Sequence, residues 1–352
     1  MKRKQIIFIY SGFSTFVEKD YNSLQKFANV LNYHYKPKKQ IFGFIFELLK
    51  LKLFLLINIW KTDIIYCWFA DYHSFLPALF GKLLNKKTVI IVGGNDAVSI
   101  PEIEYGIFYK KGLRSWAATW SYKCAHLILP VHKSLIEGVN TYVNKEGLKI
   151  GVKHFVKNIK TEFIELPTGY DSSKWFFRNE EPKKKTVITV GGIINMKTYK
   201  GKGIDLFIEV AKRMPEINFI IIGVSPEMEA FINIDKPSNV IIQEYVENNL
   251  LVNHISKAKV YCHFSLTEGL PNSLCEAMLC ECVPVGSSVN GIPDGIGEAG
   301  FILKERNVDL AVDLVQKALD SDEQLGKQAR QHIIDHFSHE KREQFLETLV
   351  KN

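Results

Sequence analysis

Three charged side chains point to a particular chemistry: Glu268, Glu276 and Lys202. The two glutamates bracket the string EGLPNSLCEAM with seven residues between them. A carboxylate accepts hydrogen bonds from two vicinal hydroxyls, so paired carboxylates suit a sugar. Gly269, Leu270, Pro271 and Asn272 lead from Glu268 into a predicted helix, and free N–H groups at a helix start bind anions. Lys202 closes a loop that also holds Lys197 and Lys200. Positive charge facing a second helix start is what a diphosphate needs as charge builds on a leaving nucleotide. The combination fits a sugar joined to a phosphate.

The elements around these residues read as alternating strands and helices. Around Glu268 they are strand 260–264, loop 265–272, helix 273–280 and strand 283–286. Around Lys202 they are strand 186–190, the glycines Gly191 and Gly192, loop 193–203 and helix 204–213. Further on come strands 217–223 and 240–243 and helices 247–256 and 307–319. The first half opens with strand 6–10, a small-residue loop holding Gly12, and a helix over 21–31. Strand 62–68, helix 75–84 and strand 87–92 follow, the last running into Gly93, Gly94, Asn95 and Asp96. Helix 114–124, strand 127–130, helix 133–142 and a basic irregular stretch 144–160 complete it, with strand 163–166 at its end. Such alternation implies an α/β protein with a parallel sheet in each half. Ligands of open α/β sheets bind at the carboxyl ends of strands, where the Glu268 loop lies.

The strand–EGLPN–helix–strand string resembles the signature of glycosyltransferase family 4, retaining nucleotide-sugar transferases of the GT-B fold. The likeness is close over 186–350 and looser over 1–170. It implies two Rossmann-like domains facing a cleft: 1–171 for the acceptor, 186–335 for the donor, and a C-terminal helix, 336–352, returning to the first. Residues 172–185, with Asn179, Pro182 and Lys183–Lys185, read as the linker. By the same resemblance Glu268, Lys202 and Asp96 are catalytic and Glu276 holds the ribose. Gly269–Asn272 and Gly192 line the donor. Gly12, Asn95 and Asp96 face the acceptor. Pro167–Asp171 and Asn290–Asp294 resemble two further family turns. Two departures stand out. Gly93 occupies the place of a usual histidine, and Gly192 that of a usual arginine, whose charge Lys197 or Lys200 supplies instead. The implied co-substrate is a UDP- or GDP-sugar, without a metal, and the acceptor a glycan or a lipid-linked sugar. Alternatives are a sugar-nucleotide epimerase, a phosphorylase, or a non-catalytic sugar-nucleotide binder.

Bulk properties set bounds. A chain of 352 residues suggests about two domains. With 46% hydrophobic and 24% charged residues it has real cores. Six cysteines without a C-x-x-C pair favour reduced thiols and a cytoplasmic protein. No secretory signal is read at the start, since residues 5–10 are too short for one and form a strand instead. Asp320-Ser321-Asp322 reads as a helix cap rather than a metal site. Trp116 and Trp120 read as core, and His73 as structural.

Net charge is +7, yet residues 1–165 hold 24 Lys and Arg against 12 Asp and Glu. A basic half of this kind suits a nucleic acid, an anionic membrane, a phosphorylated acceptor or plain solvation. No nucleic-acid motif supports the first. Residues 41–60 form the most apolar stretch, preceded by Lys36, Lys38 and Lys39. Charges at Glu47, Lys50 and Lys52 argue against a membrane span. Two readings stay open: an interfacial helix on the inner face of an anionic membrane through 36–60, or a helix buried on most sides.

Overall fold

A computed structural model describes residues 3–38, 40–177 and 183–352. Met1, Lys2, Lys39, Asn179 and Pro182 therefore lie outside the described residues. The chain divides into two compact units. One comprises Met1–Gly138, Lys149–Thr168 and Glu340–Asn352, the other Val139–Leu148 and Gly169–His339.

The first unit is built on a parallel six-stranded sheet. Its order is Asn29–His34, Gln5–Tyr10, Ile64–Trp68, Lys87–Val92, Leu127–Pro130 and Glu162–Phe163. The central strands are continuous apolar runs because helices cover both faces, and Ile6 to Ile9 and Val89 to Val92 are all buried. Two expectations are corrected here. The first helix runs Thr15–Phe27, and the end of the expected helix 21–31 is instead the strand Asn29–His34. That strand is an edge strand with mostly exposed side chains, so it lacks the apolar run that marks its neighbours. The expected helix 133–142 shrinks to a single turn, Lys133–Leu135, followed by the short strand Gly138–Asn140. Gly138 is a poor helix former, and the His132 ring accepts from Ser134 N at the start of the turn.

The last helix, His339–Lys351, anchors to the first unit through a buried ion pair. Arg342 donates Nε to Asp20 Oδ1 at 2.6 Å and Nη2 to Oδ2 at 2.7 Å. Its Nη1 donates to the carbonyls of Leu166 and Pro167, both at 2.8 Å. Tyr66 and Trp68 also donate to Asp20 Oδ2. Every charge in this network has partners, which is the condition for tolerating burial.

The second unit carries another parallel six-stranded sheet. Its order is Val240–Gln243, Asn218–Val224, Lys184–Ile193, Ala258–His263, Val283–Ser287 and Phe301–Leu303. Counted within the unit, this is 3-2-1-4-5-6, the Rossmann order. Chain direction across the sheet reverses between Lys184–Ile193 and Ala258–His263, which pair directly, Tyr261 opposite Ile188. At such a switch point the loops after the two strands diverge and leave a crevice. The loop expected over 193–203 contains a short helix, Met196–Gly201, whose start Asn195 caps by accepting from Thr198 N. All six cysteines are buried and none is in a disulfide. Asp322 caps helix Glu323–Phe337 by accepting from Leu325 N.

Candidate active site

The two loops at the switch point are knitted together. Leu266 N donates to Gly201 O at 2.8 Å. Gly203, at φ +68°, starts helix Ile204–Arg213, and a Cβ there would stand 2.2 Å from Phe264 O. Only glycine takes this backbone with so close a neighbour. The close approach brings Lys202 Nζ to 2.5 Å from Glu268 Oε1. Its stem passes Gly191, whose hypothetical Cβ would lie 3.6 Å from Lys202 Cδ.

Glu268 Oε1 takes two more contacts. Ser265 Oγ donates at 3.0 Å and His263 Nε2 lies at 3.2 Å. A carboxylate only accepts, so Nε2 is the protonated ring nitrogen. Ser265 Oγ also lies 3.1 Å from His263 Nε2, and Ser287 Oγ donates to Ser265 O at 2.7 Å. Asn290 Nδ2 donates to Glu268 O, and Gly291 N to Gly269 O at 3.0 Å. The Asn290–Asp294 turn thus braces the Glu268 loop from the next strand. Asn140 Nδ2 adds a bond to Leu266 O at 2.8 Å.

Electrostatics follow from this cluster. Burial pushes the Glu268 carboxyl up, but the Lys202 charge and the His263 hydrogen bond outweigh it and hold it far below the usual range. Glu268 is therefore a carboxylate at neutral pH. Burial lowers His263, and its bond to Glu268 offsets only part of that, so the imidazole is neutral. Beyond Glu268 the chain turns into helix Asn272–Leu279. Glu276 sits on its second turn and is buried. Tyr261 OH donates to Ser273 Oγ at 2.8 Å, fixing the helix start to the strand before the loop.

Of the sequence-derived site residues in this unit, the structure joins Lys202 to Glu268, with Gly269, Leu270, Pro271 and Asn272 following in the same loop. Lys197 and Lys200 lie exposed on helix Met196–Gly201. Gly192 is exposed, with nothing within 4 Å of a built Cβ. His263 and Ser265 were not singled out as partners of Glu268. Their only signal was position, at a strand end shortly before it.

In the first unit Asp96 is buried and its carboxylate is fully engaged. Oδ1 accepts from Gly93 N and Gly94 N, both at 3.1 Å, and Oδ2 from Ala70 N and Tyr122 OH, both at 3.0 Å. Burial nonetheless holds it above the usual range. Asn95 begins the short turn Asn95–Ala97. A Cβ at Gly93 would fall 2.3 Å from the Phe69 ring, so Phe69 fills the space a histidine would need. Phe69 itself holds φ +68°. His73 is spent in the core, its Nε2 2.8 Å from Trp68 O and its ring stacked on Tyr35. Gly12 has nothing within 4 Å of a built Cβ.

Residues 171–332 match the family model described as Glycosyl transferases group 1. The matched segment covers most of the second unit. Among curated proteins none matches this sequence. Solved structures match the whole length of the chain with low identity. Sucrose-phosphate synthase from Thermosynechococcus elongatus superposes with TM-score 0.74 at 13% identity, covering 99% of this chain and 98% of that one. Anabaena HepE, in complex with UDP-glucose, gives 0.71 at 13% identity, covering 99% and 100%. A glycosyltransferase from Rickettsia africae gives 0.70 at 14% identity, covering 100% and 98%. The fold of the chain is therefore GT-B. The Lys202–Glu268 pair and Glu276 all fall inside the matched residues.

Proposed function

We propose that this protein is a retaining glycosyltransferase that moves a sugar from a nucleotide sugar to a glycan or lipid-linked acceptor. One observation carries the reading: a lysine and a carboxylate from the loops after two adjacent strands meet at the topological switch point of a Rossmann sheet. Anabaena HepE, of the same fold, binds UDP-glucose, which favours UDP over GDP as the donor base. In this reading Glu276 accepts the ribose hydroxyls. Glu268 and the loop Gly269–Asn272 hold the sugar. Lys202 and the starts of helices Asn272–Leu279 and Ile204–Arg213 face the diphosphate. The bond from the anomeric carbon to the diphosphate oxygen breaks, the acceptor hydroxyl oxygen bonds to that carbon and passes its proton to the departing diphosphate oxygen, and Lys202 offsets the charge left on the nucleotide. His263 and Ser265 keep Glu268 ionised and aimed. Gly12, Asn95 and Asp96 belong to the acceptor side, with Asp96 shaping its loop through backbone contacts. Lys197 or Lys200 adds the charge that Gly192 lacks. No metal takes part, and the enzyme works in the cytoplasm, on an acceptor held at an anionic membrane in polysaccharide or glycolipid biosynthesis.

The test is a thermal-shift screen against UDP-, GDP- and ADP-sugars, followed by a transfer assay with the best binder. Binding to the native state at 100 times Kd adds about 2.7 kcal/mol of stability. A UDP-sugar should raise Tm more than the others. Equal, negligible shifts with all three nucleotide classes would refute the donor reading.

A further inference from the structure

Helix Ile41–Asn58 turns its apolar side away from the body of its unit. Phe42 is 84% exposed, Leu49 57% and Trp60, just beyond the helix, 67%. Phe46, Leu53 and Ile57 are exposed with them. With Ile41, Ile45 and Leu56, which are also exposed, these side chains occupy nearly one half of the circumference at about 100° per residue, centred near Leu49. The side that meets the body holds Glu47, Leu51 and Leu55. Both open readings of the polar residues change as a result. Glu47, the only carboxylate of the helix, is buried at 5% exposure and accepts from Lys50 Nζ at 3.2 Å. The outward side carries no acid.

The lysines are placed at its margins. On the same projection Lys52 falls at one edge of the exposed apolar arc and Lys50 at the other, and both are exposed. Lys36 and Lys38 precede the helix and Lys61 follows it, all exposed. An apolar strip edged by lysines is the pattern of a helix lying in a membrane interface. The strip enters the acyl boundary while the lysine stems let their ammonium groups rise to the phosphates. No helix among the described residues is long and apolar enough to cross a membrane. Aromatic side chains extend the same side of the unit. Phe44 packs on Tyr72, and Phe75 on Trp116, so helices Tyr72–Leu83 and Leu113–Cys124 continue outward from it. Trp116 and Trp120 are half exposed there, and tryptophan favours the membrane–water interface.

We infer that this face docks on an anionic lipid bilayer, with helix Ile41–Asn58 lying in the plane of the interface and Lys50 and Lys52 contacting lipid phosphates. This rests on the membrane-held acceptor proposed above and names the surface that reaches it. Charge decides for lipid over a second copy, since two such faces would bring lysine edges together without an acid to meet them.

The experiment is co-sedimentation of the full chain with phosphatidylcholine vesicles, with and without phosphatidylglycerol. Binding should require the anionic lipid and weaken as salt rises. The double variant Leu49→Glu/Leu53→Glu alters only exposed positions and should keep the wild-type Tm while losing binding. Lys50→Glu/Lys52→Glu should lose on the order of tenfold or more. Equal binding to vesicles without phosphatidylglycerol overturns the proposal, and so does absence of binding. A wild-type dimer in sedimentation velocity that Leu49→Glu/Leu53→Glu converts to monomer also overturns it. The donor thermal shift uses no vesicles, so failure of docking and failure of the transfer reading are told apart.

Discussion

Lys202 Nζ donates to Glu268 Oε1 across 2.5 Å, joining residues 66 positions apart in the chain. The pair ties the loop after Lys184–Ile193 to the loop after Ala258–His263 at the switch point. Each charge holds the other in place. Replacing Lys202 by alanine should cost transfer about 2.7–4 kcal/mol in the transition state, or roughly 10²–10³ in kcat/KM. Circular dichroism should show the fold intact. A rate near wild type would remove Lys202 from the site.

Glu276 tests the other end of the donor. The Glu276→Gln variant keeps shape at a buried position but weakens the acceptance of hydroxyls. Donor binding, read as the Tm shift with a UDP-sugar, should fall by about 1.5–3 kcal/mol, the range for hydrogen bonds to charged groups. An unchanged shift in a folded variant would place the ribose elsewhere.

Gly203 is the hinge of the pair. Gly203→Ala puts a Cβ 2.2 Å from Phe264 O at φ +68°. The left-handed backbone alone costs about 1–2 kcal/mol, and the clash adds to it. Urea unfolding should show the loss, and transfer should fall further than stability because Lys202 moves with its neighbour. A neutral result would mean that the two loops separate easily.

The Asp20–Arg342 pair sets the attachment of the last helix. Arg342→Ala leaves Asp20 buried without its cation and should destabilise by about 3–5 kcal/mol. Arg342→Lys should recover only part, since lysine lacks the two-pronged geometry. Denaturant midpoints of the three proteins check the order.

Acid should destabilise the protein through its buried histidines. Burial lowers His73, His126 and His263 below the ordinary histidine value. The unfolded chain then binds protons more readily than the folded one, so their contribution is present above about pH 6.5 and is lost as pH falls below it. Each fully displaced histidine contributes up to about 1.4 kcal/mol per pH unit. Glu268 acts in the same direction at lower pH: its depressed carboxyl supports the fold above its unfolded value and loses that support as pH falls. Urea midpoints at pH 7.5 and 5.5 should differ in this sense, and a smaller drop is expected for His263→Asn. A midpoint that rises on acidification would contradict the sign.

Much of the candidate site was legible because its signals are local. The EGLPNSLCEAM string carries its own strand end, turn and helix start, so Glu268 and Glu276 could be placed from spacing alone. Lys202-Gly203 likewise announces a helix start by the glycine beside it. The alternation of apolar runs with helical periods fixed an α/β chain with two parallel sheets. Strand Asn29–His34 escaped notice because an edge strand with exposed side chains lacks that apolar run.

The tertiary structure decided what depends on strand order and on which side of an element faces inward. Lys202 stood out from Lys197 and Lys200 in sequence by the glycine beside it, and the pairing of Lys184–Ile193 with Ala258–His263 is what brought its ammonium group to Glu268. His263 and Ser265 became its partners for the same reason. Helix Ile41–Asn58 could be recognised from its apolar residues, yet periodicity does not say which side a neighbour covers. Packing answered by burying Glu47 and leaving Leu49 outside. A sequence determines which contacts a segment is able to make, whereas the free energy of the whole chain determines which of them are made.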